Sequence, residues 1–163
     1  MSEKSCKDKE QSIREVVIPR EDAVFWLDSR GWWRNRGGRF RKKKINDYFH
    51  AAIAKDEHGY FVSQQKDDVL EKVYFPYEDT ALFVFHVIFR KDSPPLLELN
   101  TGRRIELDPE TLYSKNDCLY IEKNRETIKL SERALMQIAP LLDQDQNGLC
   151  IVIRGEKHPV TEY

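Results

Sequence analysis

The chain has 163 residues, of which 40% are apolar, 11% aromatic and 34% charged, with a formal net charge of −1. The length suits one globular domain or two very small ones, and the aromatic content is enough for a packed core. The balanced charge excludes a uniformly basic nucleic-acid coat and an acidic tail protein, and no run approaches the roughly 18 apolar residues that cross a bilayer.

Residues 1–18 read as a disordered N-terminal tail, since the polar start cannot offset its ordering entropy. Met1 to Glu10 has no apolar stretch, so no secretory leader is expected and the expected compartment is the cytoplasm. Cys6 reads as an exposed thiol. The three cysteines form no C-x-x-C pair, which argues against a disulfide framework or a zinc cage. Val16-Val17-Ile18-Pro19 leads into the ordered part. Ala23 to Leu27 is a short apolar strand, Asp28-Ser29-Arg30-Gly31 a turn, and Trp32 and Trp33 resume an extended segment that Gly37-Gly38 breaks. Ile45, Tyr48, Phe49, Ala52 and Ile53 recur at helical spacing. They predict a helix from Lys43 to about Lys55, stopped by Asp56-Glu57-His58-Gly59.

Strands follow at Tyr60 to Gln64 and at Val69 to Phe75. Ala81 to Phe89 is apolar on both faces, as in a central buried strand. Leu96 to Leu99 and Arg104 to Leu107 flank a hairpin turn at Asn100-Thr101-Gly102-Arg103, and Leu119 to Ile121 and Thr127 to Leu130 flank another. Ser131 is a good N-cap for a helix carrying Ala134, Leu135, Ile138, Leu141 and Leu142. Gln146-Asn147-Gly148 ends that helix, and Leu149 to Ile153 is a last strand.

Hairpin, helix, Asp-x-x-Gly turn and strand occur near residues 24–64 and again near 113–153. An offset of 89 pairs Asp28 with Asp117, Asn35 with Asn124, Arg36 with Arg125, Asp56 with Asp145 and Gly59 with Gly148. The expected fold is α+β: two similar hairpin–helix–strand halves, residues 19–80 and 81–163, with mostly antiparallel sheet and two main helices. Two units are too few for a solenoid.

Trp26-Leu27-Asp28, Gly31-Trp32, Asp56-x-x-Gly59-Tyr60, Glu71-Lys72-Val73, Tyr77-Glu78-Asp79-Thr80, Phe83-Val84 and His158-Pro159-Val160 occur in that order. Across residues 24–160 this pattern resembles the bacterial family of unknown function DUF1285. The resemblance implies an α+β fold with a repeated motif, bacterial cytoplasm, no established activity and a link to signalling. The chain departs from the pattern at Ala81, where proline is expected, and in the more basic stretch Arg34 to Lys44.

That stretch is the clearest anomaly. Arg30, Arg34, Arg36, Arg39, Arg41, Lys42, Lys43 and Lys44 lie together with no acid among them, interleaved with Trp32, Trp33 and Phe40. Such a mix suits phosphate neutralisation beside aromatic faces. Lysines at the start of a helix also oppose its macrodipole, so a counter-anion is expected nearby. The plainer reading is a solvated loop answered by Glu71, Glu78 and Asp79, with the tryptophans in the core. The candidate anion- or partner-binding residues are Trp32, Trp33, Arg34, Arg36, Arg39, Lys42 and Lys43.

Other constellations are weaker. Asp143-x-Asp145-x-Asn147-Gly148 copies the opening of a calcium loop, but Arg154 stands where the closing glutamate belongs, so a helix-to-strand turn is expected. His86 alternates with Leu82, Val84 and Ile88 and reads as a core histidine. His158 lies in an end expected to be mobile. Cys118 and Cys150 have apolar neighbours and read as inert. No nucleophile elbow, Walker loop or Rossmann glycine pattern occurs. The expectation is a non-enzymatic binding module with a regulatory role and no cofactor or metal, whose partner is a protein or a small anionic ligand. A nucleic-acid accessory protein using Arg34 to Lys44 is the alternative, and an enzyme ranks third.

Overall fold

The structure is a computed structural model that describes residues 12–163; Cys6 and most of the expected tail lie outside the described residues. Strands β1 (Arg14–Ile18), β2 (Phe25–Leu27), β3 (Trp33–Asn35) and β4 (Gly38–Arg39) lead into helix α1 (Lys43–Ala51). Next come β5 (Ile53–Asp56), β6 (Gly59–Lys66), β7 (Val69–Tyr74), β8 (Leu82–Ile88), β9 (Leu96–Leu99), β10 (Arg104–Glu106), β11 (Leu112–Lys115), β12 (Cys118–Lys123) and β13 (Glu126–Leu130). Helix α2 (Glu132–Ile138) is followed by β14 (Leu142–Asp145), β15 (Gly148–Ile153), β16 (Glu156–Pro159) and β17 (Thr161–Glu162). The protein is α+β, with mostly antiparallel sheets. No helix among the described residues is long and apolar enough to cross a membrane.

The largest sheet has seven strands in the order β10-β9-β8-β13-β12-β11-β17. Its β8 runs parallel to β13 and antiparallel to β9, with Leu82, Phe83 and Val84 buried, as a strand apolar on both faces should be. Helix α2 packs against β8. Ser131 caps it, its Oγ accepting from the Ala134 N–H at 3.2 Å, a contact worth about 1 kcal/mol. Four strands form a second sheet, β1-β7-β6-β5, and two three-stranded sheets, β2-β3-β4 and β14-β15-β16, complete the set. One continuous core runs from Leu27 to Val160 and crosses the boundary between residues 80 and 81.

Several expectations need correction. Residues 14–18, placed in the tail, form β1 and pair in parallel with β7. The first helix ends at Ala51, because Ile53 to Asp56 is claimed by the ladder to β6; a β-branched residue at a helical spacing fits a strand equally well. The inward face of α1 is also different. Ile45 and Tyr48 are 42% and 51% exposed, whereas Asn46 and His50 are buried and Phe49 packs on Phe25, Trp33 and Phe40. The second helix stops at Ile138, so Leu142 begins a strand. Two strands follow β15, and His158 is paired with Ile151 in one of them. His86 is not in the core, because a bulge between Val84 and His86 shifts the alternation; its Nδ1 meets Gln137 Nε2 at 2.9 Å.

The Asp-x-x-Gly units do not terminate helices. Each closes a two-residue hairpin, β5–β6 and β14–β15. Asp56 Oδ1 accepts from the His58 N–H at 2.9 Å and Asp145 Oδ1 from the Asn147 N–H at 2.8 Å. Gly59 and Gly148 then adopt φ of 120° and 109°, a region that suits glycine. The order of three strands, helix and three strands occurs over β2–β7 and over β11–β16. Equivalence at the 89-residue offset is uneven. Asn35 flanks its turn and accepts from the Gly37 N–H, whereas Asn124 and Arg125 form a turn themselves, with φ of 52° and 62°.

A buried polar cluster joins α1 to the large sheet. His50 lies between Phe85 and Trp33, at centroid distances of 4.9 and 5.6 Å. Its Nδ1 meets Asn100 Nδ2 at 3.2 Å. Asn100 also donates to the Ala81 carbonyl and accepts from the Phe83 N–H. Burial pushes the His50 imidazole down from 6.5 to about 4, against weaker upward pulls from Asp47 and Gly31. The unfolded chain therefore binds a proton that the folded chain refuses between these values. Stability should be fully present above pH 6.5, fall by about 1 kcal/mol by pH 5.5, and fall by about 3 kcal/mol below pH 4. Urea unfolding at pH 7.5 and 5.5 measures the first step, and His50→Gln should abolish it.

Candidate functional site

The site grows from one turn. Asp28, 4% exposed, accepts from the Arg30 and Trp32 N–H groups through Oδ1, each at 2.9 Å, and from Arg34 Nε through Oδ2 at 2.6 Å. Burial raises its carboxyl, but the hydrogen bonds from Arg34, Trp32 and Arg30 outweigh that and hold it below its ordinary value. The turn also needs Gly31, whose φ is 84° and where a Cβ would stand 3.2 Å from Phe85.

The register of β2-β3-β4 then sorts the segment into two faces. Trp26 pairs with Arg34 and Arg34 with Arg39, so these three project to one side, with Trp32 two residues before Arg34 on the same side. Arg39 sits over the Trp32 ring at 3.9 Å, and Trp32 is 39% exposed. The opposite side carries Phe25, Trp33 and Phe40 onto Phe49 of α1. Trp33 is fully buried, so of the candidates it belongs to the core and offers no stacking face. Arg36 lies exposed in the β3–β4 turn, Lys42 precedes α1, and Lys43 pairs with Asp47 at 2.6 Å. Sequence reasoning missed Trp26. Its alternation with core residues Phe25 and Leu27 was the available signal, but the register that sets it beside Arg34 is tertiary.

The acids expected to neutralise the segment are engaged or placed elsewhere. Glu78 accepts from the Ser29 N–H, and Asp79 binds Lys129 and the Tyr120 hydroxyl, while Glu71 is exposed on β7, in a different sheet, with no ion pair among the described residues. Asp28 takes Arg34, and Arg30 reaches Glu132 at 3.6 Å on the open surface. Among the described residues, Arg36, Arg39, Arg41, Lys42 and Lys44 form no ion pair. Helix α1 has no acid in its first turn and no side-chain cap. The result is a cationic surface with one exposed and one half-buried tryptophan.

A separate cleft of about 760 Å³ lies on the β1-β7-β6-β5 sheet. Asp56 Oδ2 accepts there from Lys72 Nζ and from the Tyr74 hydroxyl, each at 2.5 Å. These bonds, Lys72 first, hold the Asp56 carboxyl well below the usual carboxylate range. Lys72 and Tyr74 are in turn both raised, mainly by Asp56. At neutral pH the three groups sit as carboxylate, ammonium and phenol, which suits holding a shape better than moving a proton.

In the Asp143–Gly148 hairpin, Lys157 lies 3.5 Å from Asp143 and 3.7 Å from Asp145, so a cation of the chain occupies the carboxylates. No cluster of metal-ligating side chains occurs among the described residues. Thermal unfolding in chelator and in millimolar calcium should give the same Tm. Asp28→Asn keeps the size but loses the charge on Arg34, and should lower stability by about 2 kcal/mol in urea unfolding at pH 7.

No family model and no curated protein matches the chain. Two solved structures do. A DUF1285 family protein from Silicibacter pomeroyi DSS-3 aligns with a TM-score of 0.58 and 10% identity, over 91% of this chain and 84% of that one. A DUF1285 family protein from Shewanella baltica OS155 aligns with a TM-score of 0.50 and 17% identity, over 72% of this chain and 91% of that one. At such identities the likeness is one of fold, and it agrees with the resemblance carried by the sequence motifs: the chain has the fold of DUF1285 proteins.

Proposed function

We propose that the protein is a non-enzymatic binding module of the cytoplasm whose cationic surface, Trp32, Arg34, Arg36, Arg39, Lys42 and Lys43 with Trp26 added, takes an anionic ligand or partner. The observation that carries this reading is the set of five cations without ion-pair partners among the described residues, beside an uncapped helix start. Exposed like charges repel one another and the α1 dipole, each unfavourable by about 0.3–1 kcal/mol. An anion there reverses the sign, since the helix N–H groups and the side chains then act together. Such a module suits a regulatory role, in which ligand occupancy is read by a partner protein.

The second reading is a nucleic-acid accessory protein. It is favoured by two tryptophans sharing a sheet face with Arg34 and Arg39, where bases stack and phosphates meet guanidinium groups. Among the described residues, neither the cleft nor Cys118 and Cys150 lends support to the enzyme reading. We also propose that residues 19–80 and 81–163 are two similar halves that each carry one hairpin–helix–strand unit; superposing 32–64 on 121–153 should give the same element order and hand.

Replacing Arg36, Arg39, Lys42 and Lys43 by serine tests the site. The parent should bind single-stranded oligonucleotide or anionic vesicles at low salt, and the variant should lose that binding with its fold intact. If the ligand is single-stranded nucleic acid, log affinity should fall with log salt, and the four substitutions should flatten the slope by about 3. A parent that binds neither probe at low salt overturns the proposal.

A further inference from the structure

The cleft on the β1-β7-β6-β5 sheet is remote in purpose from the cationic surface, and its charges are mixed. Arg20 lines the cleft, exposed and without a carboxylate partner among the described residues. Its guanidinium carbon lies 5.8 Å from the Tyr77 ring centroid, and its Nη2 reaches 3.2 Å from where a Cβ on Gly59 would stand. Among the described residues it forms no ion pair or side-chain hydrogen bond. Lys72 spends one donor on Asp56, and its ammonium rests 4.2 Å from the Phe61 ring centroid. Glu15 and Glu21 line the same cleft, exposed and without ion pairs among the described residues.

We propose that this cleft binds a small zwitterion carrying one carboxylate and one ammonium, the chemistry of a free amino acid. Arg20 supplies the forked donor for the carboxylate, and Lys72 reinforces it. Glu15 and Glu21 receive the ammonium. A simple anion is disfavoured, since Glu15, Glu21, Asp56 and Glu57 outnumber Arg20 and Lys72 in the lining. A simple cation leaves the Arg20 guanidinium unanswered. A dipolar ligand satisfies both. Val17, Pro19 and Tyr74 give the cleft an apolar wall for a side chain.

The full chain, labelled with nitrogen-15, is titrated with the twenty free L-amino acids, first pooled and then singly. Acetate, putrescine and inorganic phosphate serve as separate probes at matched concentration. Saturable shifts of the Asp56 to Gly59 amides and of Arg20 Nε with at least one amino acid are the expected result, with no saturation by the three other probes. Arg20→Gln should weaken that binding about tenfold or more, and Glu21→Gln should weaken it in parallel. The Arg36, Arg39, Lys42, Lys43 serine variant should bind the amino acid as the parent does, which separates this site from the polyanion surface. The proposal falls if no amino acid saturates the cleft, if acetate, phosphate or putrescine saturates it equally well, or if Arg20→Gln binds like the parent.

Discussion

The buried Asp28 carboxylate fixes what the first part of the chain does with its aromatic and basic residues. Two backbone N–H groups and one guanidinium end on it. Hydrogen bonds to a charged group contribute about 1.5–3 kcal/mol each, enough to offset the desolvation of a single carboxylate. By closing the turn on itself, Asp28 sets the parity of β3. Trp33 is driven inward, where it is fully buried, and Trp32 outward, where Arg39 covers one face. A turn one residue longer would reverse the pair and put the basic residues against the core. The cationic surface is thus a consequence of an internal ion pair.

Helix α1 explains how the fold tolerates that surface. Lys42, Lys43 and Lys44 crowd its start with no acid in the first turn, and the Lys43–Asp47 pair returns only about 0.3–0.5 kcal/mol. Against this, Phe49 contacts Phe25, Trp33 and Phe40 within 5.4 Å between ring centroids. Aromatic pairs of this kind contribute about 0.5–1.5 kcal/mol each beyond area burial. Packing exceeds electrostatics here, so a surface that is unfavourable by itself persists.

The legible parts of the fold were those encoded locally. The β8 run, the Asn100–Arg103 hairpin and the Ser131 cap each depend on neighbours in sequence, and the structure has them where expected. The errors arose where local patterns are degenerate. Ile53 satisfies a helical period and a strand equally, and only pairing with Val62 decides between them. Asp-x-x-Gly fits a helix end or a hairpin, and the choice depends on whether a strand precedes it. For the site, the charge run was visible in the sequence, but its division into a sheet face and a helix entry required the β2-β3-β4 register. Trp26 and the Arg20–Asp56–Lys72 cleft join residues far apart in the chain, which no spacing rule reports.

Three turn aspartates show how burial grades one device. Asp28, Asp56 and Asp145 each accept a backbone N–H two to four residues ahead, and each also reaches a basic side chain on a later strand. Asp28 meets Arg34 at 2.6 Å with its own side chain 5% exposed. Asp56 meets Lys72 at 2.5 Å with both side chains a quarter exposed or less. Asp145 meets Lys157 only at 3.7 Å, with the lysine 55% exposed, where solvent screening leaves about 0–1 kcal/mol. The same residue type in the same kind of turn therefore fixes a strand's parity in the first case, shapes a cleft in the second and decorates a surface in the third. What separates them is how far water is excluded from each aspartate's own carboxyl, which is 5%, 25% and 35% exposed in turn, and that exclusion is a property of the packed sheets.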